Sequence, residues 1–115
     1  MNFIVQILIS TLAVIVTAYL LPGVDVDSFY TALVVAAVLA FLNAIVKPIM
    51  ILFTIPITIF TLGLFLVVIN ALIILLAAKI VHGFEVKGFW SALLFSIVLS
   101  VVTSIFVAIS GNKNK

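Results

Sequence analysis

The sequence predicts an all-α integral membrane protein: four transmembrane helices, arranged as two helical hairpins in a parallel repeat and joined by an apolar hook. Three observations predict it. The first is composition. Of 115 residues, 68% are hydrophobic and 7% charged, with a mean hydropathy of +1.66. A soluble domain this small buries only about 60–70% of the surface its unfolded chain exposes, too little to hide so much apolar area. The second is the spacing of charge. Charged side chains stand only at Asp25, Asp27, Lys47, Lys79, Glu85, Lys87, Lys113 and Lys115. The third is an internal repeat at an offset of 60 residues.

The charges delimit the elements. A helix needs about 20 apolar residues to cross a hydrocarbon core about 30 Å thick. Residues 3–21, 29–46 and 89–109 each supply one span. Residues 3–21 lack a basic leader and a clean small-residue cleavage site, so they read as a retained span, not a signal peptide. The uncharged run 48–78 has 31 residues, about 46 Å as a helix: too long for one crossing and too short for two. It reads as a span over 62–79 preceded by a segment, 48–61, that does not cross. Pro48, Pro56 and three threonines mark that segment, and Pro56 removes a backbone donor. It is expected to be re-entrant or interfacial, with its backbone covered by protein at membrane depth. The chain therefore divides into repeat 1 over 1–46, a connector over 47–61, repeat 2 over 62–109 and a tail over 110–115.

Residues 18–39 align with 78–99 without a gap. Gly23 meets Gly83, Phe29 meets Phe89, Asp25 meets Glu85 and Tyr30 meets Trp90, matches that apolar bias alone does not produce. Gly23 and Gly83 suit the left-handed position just past a helix end. Ser28 suits a helix N-cap and Gly88 a weaker one. Val24–Val26 and Phe84–Val86 are expected to meet as a short antiparallel bridge. With a non-crossing connector the hairpins are related by an axis along the membrane normal. Small residues recur every four positions: Ala32, Ala36, Ala40 and Ala44 in span two, Ala92, Ser96, Ser100 and Ser104 in span four. Such rows let helices approach closely, and they predict that spans two and four cross near the axis at about −40°.

Few groups in the spans carry chemistry. Asn70 lies mid-span with Ser10 as its repeat mate; Asn43 stands one turn before Lys47. Asn70 reads as an interhelical hydrogen-bonding group or as the lining of a water or ion path. Lys47 reads as a snorkelling cation, a carbonyl cap in the hook or a partner for anionic lipid. No carboxylate, histidine or lysine lies inside a span, and His82 has no metal-ligand spacing beside it. Ser96, Ser100 and Ser104 have no neighbouring base, so they read as packing residues, not nucleophiles. The expectation is a non-enzymatic protein with no catalytic, cofactor or metal site. The net charge of +2 offers no nucleic-acid face. Lys47 and the tail lysines outnumber Lys79 and Lys87, which favours both termini in the cytoplasm of a cell whose inner membrane holds the protein.

Residues 42–93 carry further motifs: Asn43 with Lys47-Pro48, Thr54 with Pro56, Thr61-Leu-Gly63-Leu-Phe65, Ile69-Asn70-Ala71, and Gly83-Phe-Glu-Val86. This set resembles the bacterial four-span membrane family of phage holin superfamily IV, the mycobacterial four-span holins. The resemblance implies a compact four-helix membrane protein and leaves its role open. Three functions compete: a structural or envelope-associated protein, favoured; a holin-like lesion former, which requires a homo-oligomer; and a small transporter or channel. Only the bilayer is a firm partner.

Overall fold

The computed structural model describes residues 2–110. In chain order it has α1 (Phe3–Leu20), β1 (Val24–Val26), α2 (Phe29–Phe41), a π-helical turn (Leu42–Val46), α3 (Lys47–Phe53), α4 (Ile55–Phe60), α5 (Leu64–Ile80), β2 (Phe84–Val86) and α6 (Phe89–Ile109). Among the described residues, three helical runs are long and apolar enough to cross a membrane: Phe3–Leu20, Phe29–Phe53 and Phe89–Ile109. The fourth apolar helix, α5, has 17 residues, at the short end of the roughly 17–25 that span a bilayer.

One local feature differs from the sequence reading. Span two does not end at Val46: the helical run continues through Lys47 and Pro48 to Phe53. The π turn explains this. The Lys47 N–H donates to the Leu42 carbonyl, five residues back, so the ladder widens just where Pro48 withdraws a donor. The chain then bends at Thr54, where the backbone leaves the helical region and the side-chain hydroxyl donates to the Met50 carbonyl at 2.9 Å. Pro56 sits in the first turn of α4, where its missing N–H costs little. Thr61-Leu62-Gly63 completes the joint, with Leu62 and Gly63 both left-handed. No residue of α3 or α4 is buried, and Phe53, Phe60 and Leu62 present apolar side chains outward.

The two strands pair antiparallel, Val24 with Val86, Asp25 with Glu85 and Val26 with Phe84. This register is centred on the repeat-related residues Asp25 and Glu85. Flanking bonds follow the same relation: the Asp27 N–H donates to the Gly83 carbonyl at 3.0 Å and the Lys87 N–H to the Gly23 carbonyl at 2.8 Å. Gly23 and Gly83 are left-handed, at φ 87° and 91°. A Cβ on Gly23 would lie 2.7 Å from Ser91 Oγ, and one on Gly83 2.6 Å from an Asp27 carboxylate oxygen and 3.1 Å from Thr31 Oγ1. Each turn thus sits on the first turn of the other hairpin's second helix, and both turns lie at one end of the molecule.

The core sits beneath this clasp. Repeat-related positions are buried together: Ala13 with Ile73, Val14 with Ile74, Val24 with Phe84, Ala32 with Ala92 and Val35 with Phe95. Phe84 and Phe95 meet at a ring-centroid distance of 5.5 Å. Ser28 caps α2, its Oγ accepting from the Thr31 N–H at 3.2 Å, whereas Gly88 offers α6 no side-chain cap.

The packing of helices corrects one expectation. Among the described residues α1 packs on α2 and α6, and α5 packs on α6, α2 and the α3–α4 segment; α2 and α6 do not close against each other. They are diagonal in the bundle. Ala32, Ala36, Ala92 and Ser96 are buried near the clasp, but Ala44, Ser100 and Ser104 are exposed and Ala40 is half-buried. The small rows bring α2 and α6 to face a common gap instead of forming a crossing. The lysines of the tail lie outside the described residues.

Candidate functional site

The gap between α2 and α6 holds two adjoining cavities lined by residues of both repeats. One part, of about 360 Å³, is lined by Ser10 and Val14 from α1, Ala36, Leu39 and Ala40 from α2, Asn43 from the π turn, and Leu99, Ser100, Thr103 and Ser104 from α6. A second, of about 120 Å³, continues it on the α5 side and adds Lys47, Asn70, Ile73, Ile74 and Ser96. The two share Leu39, Asn43, Leu99 and Ser100. A third hollow, containing Phe3 and Gln6, widens the cleft at the end where α1 begins.

The lining follows the repeat. Ser10 and Asn70, Val14 and Ile74, Ala36 and Ser96, Leu39 and Leu99, Ala40 and Ser100, and Asn43 and Thr103 are six pairs at the offset of 60. Most of these pairs carry small or polar side chains on at least one member, so both halves of the sequence contribute to a polar slot. At 1.5 Å per residue, Asn70 lies about 15 Å from the clasp end of α5, and Lys47 about 27 Å along the run from Phe29. Asn70 is thus near the middle of α5, and Lys47 lies in the last third of the run Phe29–Phe53. On the clasp side of Val14 and Ala36 lies the buried core of Val24, Val35, Phe84 and Phe95.

Of the sequence-predicted residues, the structure brings Asn43, Lys47, Asn70, Ser96 and Ser100 to one cavity, with Ala36, Ala40 and Ser104 beside them. Ala32 and Ala92 are packed above it, and Ala44 lies outside it. Pro48 shapes the helix that carries Lys47, while Pro56 and Gly63 belong to the connector. Asn70 makes no interhelical bond among the described residues: side-chain hydrogen bonds there involve Asn2, Thr11, Ser28, Thr31, Thr54, Thr61, Ser96 and Ser110. Sequence reasoning missed Thr103 as the mate of Asn43, though the same offset, followed a few residues past Leu99, points to it. Among the described residues no three His, Cys, Asp or Glu side chains gather as a metal site would require.

Apolar helices around a polar slot, clasped at one end by a strand pair, define an α-helical membrane protein with multiple apolar helices. Residues 1–105 match the family described as mycobacterial 4 TMS phage holin, superfamily IV, and the chain belongs to it. It is 39% identical over 98 residues to an uncharacterised membrane protein of Bacillus subtilis (strain 168), YvlD, covering 84% of this chain and 82% of that protein. It is 38% identical over 112 residues to an uncharacterised protein of Streptomyces coelicolor, covering 89% of this chain and 90% of the relative. No solved structure matches it.

Proposed function

We propose that this is a non-enzymatic four-span protein of the inner cell membrane, whose working part is the axial cleft: a blind vestibule that admits a polar group from the cytoplasmic side. The hairpins act as a parallel repeat, the connector after Phe53 stays on the side of the termini, and the strand pair lies on the outer face. The distribution of basic residues supports this orientation. The observation that carries the reading is the polar lining of Asn43, Asn70, Ser100 and Thr103, with the buried core of Phe84 and Phe95 on the clasp side of it. Polar groups at membrane depth usually face a bundle interior or a water-filled cavity and mark a path or a site.

A blind cleft does not conduct. The hydroxyls that could wet a lesion, Ser100, Thr103 and Ser104, already line the cleft. The protein is therefore an envelope-associated binding or structural element. Its test is regulated expression in a bacterium while membrane potential and dye entry are followed. No abrupt depolarisation is expected at any level. A sudden collapse at a critical level contradicts the reading and supports an oligomeric lesion former.

A further inference from the structure

We propose that the part of the cleft bounded by Lys47, Asn43, Asn70 and Ser100 binds a phosphate group. This rests on the cleft reading above and names what the cleft receives. The first argument is charge. Lys47 is the single titratable group lining this cavity, and the acids among the described residues, Asp25, Asp27 and Glu85, stand in and beside the clasp at the opposite end of the bundle. Among the described residues Lys47 has no ion pair, so the site favours an anion.

The second argument is the set of donors. Lys47 offers an ammonium, and Asn43 and Asn70 offer carboxamides from two different helical segments. None of them, nor Ser100, makes a hydrogen bond to a described residue. Ser96 does not join them as a donor, because its hydroxyl donates to the Leu93 carbonyl at 2.8 Å. A tetrahedral oxyanion can satisfy several such unpaired donors at once through charge-assisted bonds.

The third argument is placement. The π turn just before Lys47 sets both Asn43 and Lys47 on the cleft wall, and such turns recur at functional sites. The cleft is open at the depth where Lys47 stands, near the boundary of the hydrocarbon layer. A phosphate can therefore arrive on a lipid whose chains remain in the bilayer, or free from the cytoplasm.

The test uses the full chain in detergent, equilibrated with equal amounts of phosphatidylglycerol and a galactosyl diacylglycerol lacking phosphate, with lipid retention read by native mass spectrometry. Retention of phosphatidylglycerol over the glycolipid is expected at about tenfold, and either Lys47→Gln or Asn70→Leu should remove most of it. Asn70→Ser, which installs the residue found at its repeat mate, should keep part of the preference and controls for folding. Lys87→Gln, at the clasp end, should leave it intact. A second arm adds millimolar inorganic phosphate: displacement of the lipid identifies free phosphate as an alternative source, and no displacement identifies the headgroup.

Equal retention by the parent and both variants overturns the site. So does a loss with Lys47→Gln unaccompanied by one with Asn70→Leu, which is plain attraction of a surface cation to an anionic lipid. Labelling of Ser100→Cys by a charged thiol reagent in the same preparation keeps the two readings apart. A wet cleft without phosphate preference sinks this proposal alone, whereas a dry cleft sinks the vestibule as well.

Discussion

The two ends of the bundle are built from the same repeat and do opposite things with it. At the clasp end, repeat-related residues are apolar or small and are buried together, as with Val24 and Phe84 or Val35 and Phe95. Backbone hydrogen bonds tie the turns across the axis. At the other end, the mates are Ser10 with Asn70 and Asn43 with Thr103, and the helices stand apart around a cleft. A membrane bundle gains no hydrophobic energy by bringing helices together, so close packing and backbone bonds must hold it. The clasp supplies them, and the open end is thereby free to carry polar groups that a tightly packed bundle would exclude.

The comparison breaks most visibly at Phe95, which is fully buried against Phe84. Phe95→Ala should cost about 3 kcal/mol, the low end for such a truncation, because lipid already solvates an apolar side chain and the cavity term remains. Ser100→Ala, in the cleft, should fall within about 0.5 kcal/mol of the parent. Thermal melting of both variants in detergent checks the contrast; equal losses would mean that the two ends are not mechanically distinct.

A smaller effect is expected at Gly83. An alanine there meets both a left-handed backbone, at about 1–2 kcal/mol, and the Asp27 carboxylate 2.6 Å away. Gly63→Ala pays only the backbone cost, since nothing lies within 4 Å of its new Cβ. Gly83→Ala should therefore melt lower than Gly63→Ala, and the reverse order would remove the clasp from the account of stability.

The smallest effect sharpens the picture of the clasp. Asp25 and Glu85 face each other in register with like charge. Glu85→Lys should stabilise by about 0.2–1 kcal/mol, and the gain should shrink as salt is raised. A destabilised variant, or a gain unaffected by salt, would mean that the pairing is not formed in solution.

Much of the fold was legible because charges are scarce and the repeat is long. The limits of α1 and α6 follow from where charge stops, and the strand pairing follows from Gly-x-acid-Val recurring in both halves. The continuation of α2 to Phe53 was not legible. Pro48 is an ordinary stop signal, and only the π turn, which depends on tertiary fit, lets the helix run through it. The small rows were legible as a face but not as a contact: spacing says which residues align, not what stands opposite. The candidate site was half legible. Asn43, Lys47 and Asn70 stood out as polar residues in or at the ends of spans, but their convergence on one cavity with Thr103 and Ser100 depends on how the four helices are arranged around the axis.

The central claim is a cleft wetted from one side and sealed on the other. Single cysteines at Ser100 and Glu85, in a chain that has none of its own, test it when a membrane-impermeant thiol reagent is applied to intact cells and to inverted membrane vesicles. Ser100→Cys should react only in the inverted vesicles and Glu85→Cys only in intact cells. Reaction of Ser100→Cys from the outer face, or from neither, would contradict the account.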